Sequence, residues 1–177
     1  MNHYDFTRDF RAVYDRAVAL YAQGRRGAGT FFDAGQRAFL ASNGLTAQHL
    51  YDYAEDFCGD GDPDCDQALA IELVRRDYFL NVQGAKPSPL VLAEESLPAK
   101  SETVEGIGWL PRLIPKARAK LRGELPPSLM YCCGGDRRFF RDHDILPAEF
   151  LSRVWRHEHD DQDVIDWVIR RLGAPRG

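Results

Sequence analysis

Two stretches in the C-terminal half carry residues whose types and spacing suit chemistry. The first is a basic helix, WLPRLIPKARAKLRGEL, residues 109–125. Arg112 and Lys116 stand one helical turn apart, as do Arg118 and Arg122. Arg137 and Arg138 follow after a Gly134-Gly135 turn. Arginine offers a planar fork to phosphate or carboxylate, and lysine offers a point charge. A Gly-Gly turn lets backbone N–H groups approach an anion. The spacing therefore predicts an anion site built from Arg112, Lys116, Arg118 and Arg137. The second stretch is Cys132-Cys133-Gly134-Gly135-Asp136-Arg137. A thiol beside a cation becomes reactive as its thiolate. Nucleophilic catalysis would also need a base, which His143 or His49 would supply. Cys133, Asp136 and His143 are thus the catalytic candidates, and a buried, inert cysteine is the competing reading.

Two other clusters lead to less. His157, Glu158, His159, Asp160 and Asp161 are metal-ligand types, but their spacing fits neither HExxH nor a zinc finger. Asp60, Asp62, Asp64 and Asp66 alternate like a calcium loop. Cys65 falls where such a loop needs glycine, and Ile71 where it needs glutamate. Both read better as junctions feeding helix caps. No nucleotide-binding fingerprint occurs, so no metal and no cofactor are expected.

The elements that must position these groups are helical. Phe6, Phe10, Val13, Tyr14, Ala17, Leu20 and Tyr21 form one stripe at helical spacing, with Thr7 as the expected cap and Gly24 closing the helix. A short helix is predicted over 34–42, ended by Asn43-Gly44. Thr46 then caps another, with Leu45 stapled onto Leu50. Residues 58–63 read as a loop. A further helix restarts near Asp64 and runs to about Leu80; apolar on nearly all sides, it is expected at the centre of its half. In the second half Leu110, Leu113, Ile114, Ala117 and Leu121 make a stripe. Pro111 suits its first turn, whereas Pro115 implies a kink or a later start. Pro147 opens the next helix, with Ile145 stapled onto Phe150. The last helix begins near Asp161, buries Val164, Ile165, Val168 and Leu172, and is closed by Gly173 and Pro175. No segment sustains a strand-like alternation. The expected fold is all-α, one compact helical domain made of two diverged helical repeats. Residues 1–83 form the first repeat, 84–106 a Pro-rich linker, and 107–177 the second repeat.

The repeat rests on a shift of 100 residues. Ala17 meets Ala117, Arg37 meets Arg137, Phe39 meets Phe139, and the Leu45/Leu50 staple meets Ile145/Phe150. After a shorter loop, Val74-Arg75-Arg76 meets Ile169-Arg170-Arg171. Matching order and capping signals point to duplication, with the halves covering each other's apolar faces around a pseudo-twofold axis.

Charge divides between the halves. Residues 1–83 hold 8 basic and 13 acidic side chains, and residues 108–177 hold 13 and 10. An acidic half and a basic half attract each other, or the basic one meets an anion. With a net charge of -4 and no strongly basic recognition helix, duplex DNA is not an expected partner. No run of about 20 apolar residues spans a membrane, and no apolar signal core opens the chain. Four cysteines in 177 residues do not make a disulfide scaffold, so a reducing cytoplasm is the expected location.

The stretch WLPRLIPKARAKLRGEL, then YCCGGDRRFF and AEFLSRVW…DQDVIDWV, resembles a bacterial family defined by a domain of unknown function, DUF5069. Members look like LPRLIDKARA at the helix and NCPLDQRFL at the following turn. Arg112, Lys116, Arg118, Cys133, Asp136 and Arg137 occupy family positions. Pro115 stands where the family has Asp, Cys132 where it has Asn, and Gly134-Gly135 where it has Pro-Leu. The resemblance implies kinship and carries no chemistry with it. The sequence points first to a non-catalytic binding or regulatory module for a small anionic ligand or an acidic protein segment. The alternative is an enzyme acting on a small anionic substrate in a cleft between the repeats.

Overall fold

The computed structural model describes residues 3–172. Eight α-helices and one two-stranded hairpin are present among them. Two compact units result, Met1–Pro87 and Ser88–Gly177. The Pro-rich stretch 84–106 is shared out at that boundary. Most of it is tied into the second unit: the Leu92 amide donates to the Glu124 carbonyl and the Ser88 hydroxyl to the Glu124 carboxylate, at 2.7 Å each.

In the first unit a 3-10 turn, His3–Asp5, leads into α1, Phe6–Ala22. The turn moves the helix start ahead of Thr7, which lies within the first turn instead of capping it. α2, Ala34–Ser42, starts on a capping box: Asp33 accepts from the Gln36 amide, and Gln36 accepts from the Asp33 amide. α3, Ala47–Asp60, is capped by Thr46 and ends on left-handed Gly61. It therefore extends through the first half of the expected 58–63 loop. α4, Cys65–Asn81, is capped by Asp64. Here α1 packs against both α3 and α4, so the central position expected of α4 falls to α1. Phe10, Ala17, Leu50 and Ala54 lie in its fully buried core.

The second unit opens with β1, Thr103–Val104, paired antiparallel to β2, Ile107–Gly108. Glu105 and Gly106 both have positive φ, as a two-residue primed turn requires. Two residues per strand are too few to display alternation, which is why the sequence shows none. α5, Leu110–Arg122, continues through Pro115. The proline removes one intrahelical donor, the one that the Pro111 carbonyl would otherwise accept from. α6, Gly134–Asp142, α7, Pro147–Arg156, and α8, Asp161–Leu172, follow. α5 packs on α7, and α7 on α8. Leu113, Ala117, Phe150, Leu151, Val154, Val164 and Val168 are buried. The expected end signals Gly173 and Pro175 lie outside the described residues, as does the side chain of Leu172. No helix among the described residues is long and apolar enough to cross a membrane.

The local structure of α2 and α6 runs parallel. Both have nine residues, and their starts lie 100 positions apart. Arg37 donates to the Phe32 carbonyl, and Arg137 to the Cys132 carbonyl at 2.9 Å. Asn43 and His143 follow the two helices, and each places a side-chain nitrogen 2.7 Å from the carbonyl of Phe39 or Phe139.

Candidate functional site

The start of α5 is set by an unusual residue. Trp109 is its N-cap, with φ 69° and no capping side-chain bond. Serine, threonine, aspartate or asparagine ordinarily occupies that place. Trp109 instead reaches α6, where its indole N–H donates to Asp136 Oδ1 at 2.9 Å. Gly135 makes room for the ring: a β-carbon there would lie 2.5 Å from Trp109 Cζ2.

Asp136 is fully buried and receives three donors. Besides the indole, the Cys132 amide donates to Oδ2 at 2.9 Å, and Lys116 Nζ donates to Oδ2 at 2.7 Å. Lys116 is itself only 3% exposed. Its second acceptor is Cys133 Sγ, at 3.2 Å. Cys133 is half-buried and is the N-cap of α6. Trp109 and Cys132, two of the three residues that hold Asp136, both have left-handed backbone at φ 69° and 70°. Such conformations cost about 1–3 kcal/mol each and persist only where the surroundings impose them. Lys116, Cys133 and Asp136 thus form one buried cluster, braced by strained backbone on two sides.

Burial alone would push the Lys116 ammonium toward deprotonation. The Asp136 charge and the Cys133 sulfur outweigh it and hold the group above the usual lysine value. Burial likewise raises the phenols of Tyr131, which donates to the Pro147 carbonyl, and Tyr14, which donates to the Pro63 carbonyl. All three groups release a proton less readily folded than unfolded. Their stabilisation is fully present below about pH 9, where the unfolded side chains begin to ionise, and is lost as pH rises beyond it. The denaturation midpoint is therefore expected to fall between pH 9 and 11, and less steeply in Tyr131→Phe. A wild-type midpoint that stays level over that range contradicts this account.

The other candidate cations have different partners. Arg112 donates to the Pro98 carbonyl at 3.0 Å and approaches Glu94, pinning the 88–106 segment onto α5. Arg118 pairs with Asp161 at the start of α8, and Arg122 with Glu158 at 2.6 Å. Arg137 holds the Cys132 carbonyl and so the strained turn. Of the expected ligand-binding set, then, Lys116 and Arg137 meet around Cys132–Asp136, while Arg112 and Arg118 serve other contacts. Cys133 and Asp136 come together through Lys116. His143 does not join them. It sits at the far end of α6, about 15 Å of helix from Cys133, stacked on Phe139 with centroids 4.1 Å apart. His49 belongs to the first unit, 3.8 Å from Glu72.

The HEHDD segment forms a helix junction: Asp160 accepts from the Asp163 amide, and His157 lies 3.0 Å from Asp163. In the acidic loop Asp64 caps α4 and Asp66 pairs with Arg11. Among the described residues no group of three or more His, Cys, Asp or Glu is placed to hold a metal ion.

Trp109 is a site residue that neither the apolar stripes nor the charged clusters of the sequence single out. Its signal was a tryptophan standing where a helix cap belongs.

Comparison with known families places the C-terminal half. Residues 95–176 match the model of a family described as a domain of unknown function, DUF5069. That span contains the whole Trp109–Lys116–Cys133–Asp136 cluster. Neither a curated protein nor a solved structure matches the chain.

Proposed function

We propose that the C-terminal unit carries a nucleophilic thiol site, with Cys133 as the attacking sulfur and a small electrophile as its substrate. The observation that carries this reading is the 3.2 Å contact between Lys116 Nζ and Cys133 Sγ, with Asp136 fixing the ammonium from behind. An adjacent ammonium stabilises a thiolate relative to a thiol. Lys116 takes the part expected of a histidine by placing a positive charge beside the sulfur. Asp136 and the Trp109 indole are positioning groups.

Anion recognition narrows on this reading to Lys116 and the first amides of α6, where Cys133 provides no capping side-chain bond. The parallel between α2 and α6 supports the two units as diverged copies. The thiol chemistry then belongs to the second alone, because Asp33 and Gln36 stand where it has Cys133 and Asp136.

Alkylation of the native protein tests the proposal. At pH 7 iodoacetamide is expected to modify Cys133 at least about tenfold faster than the exposed Cys58, read by peptide mass spectrometry. Lys116→Met, checked for folding by circular dichroism, is expected to remove that advantage. If anion recognition accompanies it, iodoacetate gains on iodoacetamide at Cys133 and not at Cys58. Cys133 reacting no faster than Cys58 in the wild-type chain overturns the proposal.

A further inference from the structure

The geometry points to an oxidation-dependent covalent bridge between Cys133 and Lys116, formed when a hydroperoxide reaches the sulfur. This rests on the reading of Cys133 as a reactive thiol, and adds a fate for its oxidised form.

The first step is an ordinary two-electron oxidation. The Cys133 sulfur attacks the terminal peroxide oxygen, and the O–O bond breaks. The thiol proton leaves with the departing alcohol or water. Sulfur is oxidised to sulfenic acid, and the peroxide is reduced. Cys133 is half-buried, so a small peroxide reaches it, while Lys116 and Asp136 lie beneath the surface.

A sulfenic acid condenses with a nearby thiol or nitrogen. Cys132 is adjacent in sequence but a poor partner. Neighbouring Cα atoms lie about 3.8 Å apart, below the roughly 4.4–6.8 Å that a disulfide spans. Lys116 Nζ is already in contact with the sulfur. Its approach is also provided with a proton acceptor. Asp136 Oδ2 lies 2.7 Å from Nζ and takes one ammonium proton as nitrogen attacks sulfur. The S–O bond breaks, and the hydroxyl leaves as water with a second ammonium proton. The product is a sulfenamide, an S–N bond with one hydrogen left on nitrogen. Two equivalents of an external thiol reverse it, restoring both side chains and yielding that thiol's disulfide. The bridge shields the sulfur from further oxidation and withdraws the Lys116 charge from the site.

The test uses the full-length protein and hydrogen peroxide. Cleavage after Glu105, Glu124 and Glu149 puts Lys116 and Cys133 on separate peptides, 106–124 and 125–149. After peroxide these two are expected as one joined species, about 2 Da lighter than their sum and separated again by dithiothreitol. Lys116→Arg is expected to abolish the joined species while dimedone still traps Cys133. Dimedone labelling of wild-type Cys133 with no joined peptides overturns the bridge and leaves the reactive thiol standing. A joined species that keeps the oxygen, about 14 Da heavier than the sum, overturns the condensation step. Cys133 inert to peroxide, dimedone and iodoacetamide alike removes both readings.

Discussion

Asp136→Asn is expected to destabilise the C-terminal unit by about 3–5 kcal/mol, the usual result of removing one partner from a buried ion pair. The Lys116 ammonium would stay 3% exposed with only a sulfur beside it. An asparagine oxygen can accept from the Trp109 indole or the Cys132 amide, so the neutral donors lose less than the cation does. All three tryptophans, Trp109, Trp155 and Trp167, lie in the second unit. Tryptophan fluorescence during urea unfolding therefore reports that unit alone. A loss below about 1 kcal/mol would mean that Lys116 finds another acceptor and that the cluster is not a closed set. Lys116→Met/Asp136→Leu separates stability from purpose. It removes both charges but strands the Trp109 and Cys132 donors, and is expected to unfold more easily than wild type but less easily than Asp136→Asn. Its Cys133 is expected to lose any advantage over Cys58 in alkylation.

That experiment bears on why the cluster exists. A buried ion pair contributes little net stability, and here it comes with two left-handed residues that each cost free energy. An apolar core at these positions would give a more stable helical unit. Retaining Lys116, Asp136 and the strained Cys132 turn makes physical sense when the sulfur at Cys133 has a task.

The sequence disclosed the helices better than the site. Where local chemistry decides, the expected elements appear where their signals lie. α2 runs Ala34–Ser42, Thr46 caps α3, Pro147 opens α7 and Asp161 opens α8. Boundaries shifted where a neighbour outside the pattern intervened, as the 3-10 turn did before α1 and Gly61 did after α3. At the site, residue types were legible: Lys116, Arg137, Cys133 and Asp136 were all candidates. The pairing was not. Helical spacing puts Arg112, Lys116, Arg118 and Arg122 within about three turns of each other, but says nothing of the acceptors. Glu94, Asp136, Asp161 and Glu158 come from four other segments. The same limit explains Trp109. Its apolar bulk reads as core, and only the fold reveals that its indole meets a carboxylate 27 positions away.

Gly44→Ala is expected to cost the N-terminal unit about 2–4 kcal/mol, combining left-handed strain with overpacking. Gly44 has φ 75°, and a β-carbon there would lie 2.5 Å from Phe79 Cγ and 2.8 Å from Phe79 Cβ. Phe79 is 2% exposed and has little space to yield. The Asn43-Gly44 pair was readable as a turn, but the approach of Phe79 was not. The corresponding turn of the second unit separates the two contributions. There Asp144 holds φ 53° and is exposed, so a side chain is tolerated at that backbone angle where it points to solvent. Aspartate visits this backbone region more readily than alanine does. If backbone strain dominated at position 44, Gly44→Asp would be the milder change. The contact with Phe79 predicts instead that Gly44→Asp is at least as damaging as Gly44→Ala. Hydrogen exchange of the α4 amides, measured for both variants, decides between them. Near-wild-type protection in Gly44→Asp would show that Phe79 moves aside, and that the turn alone requires the glycine.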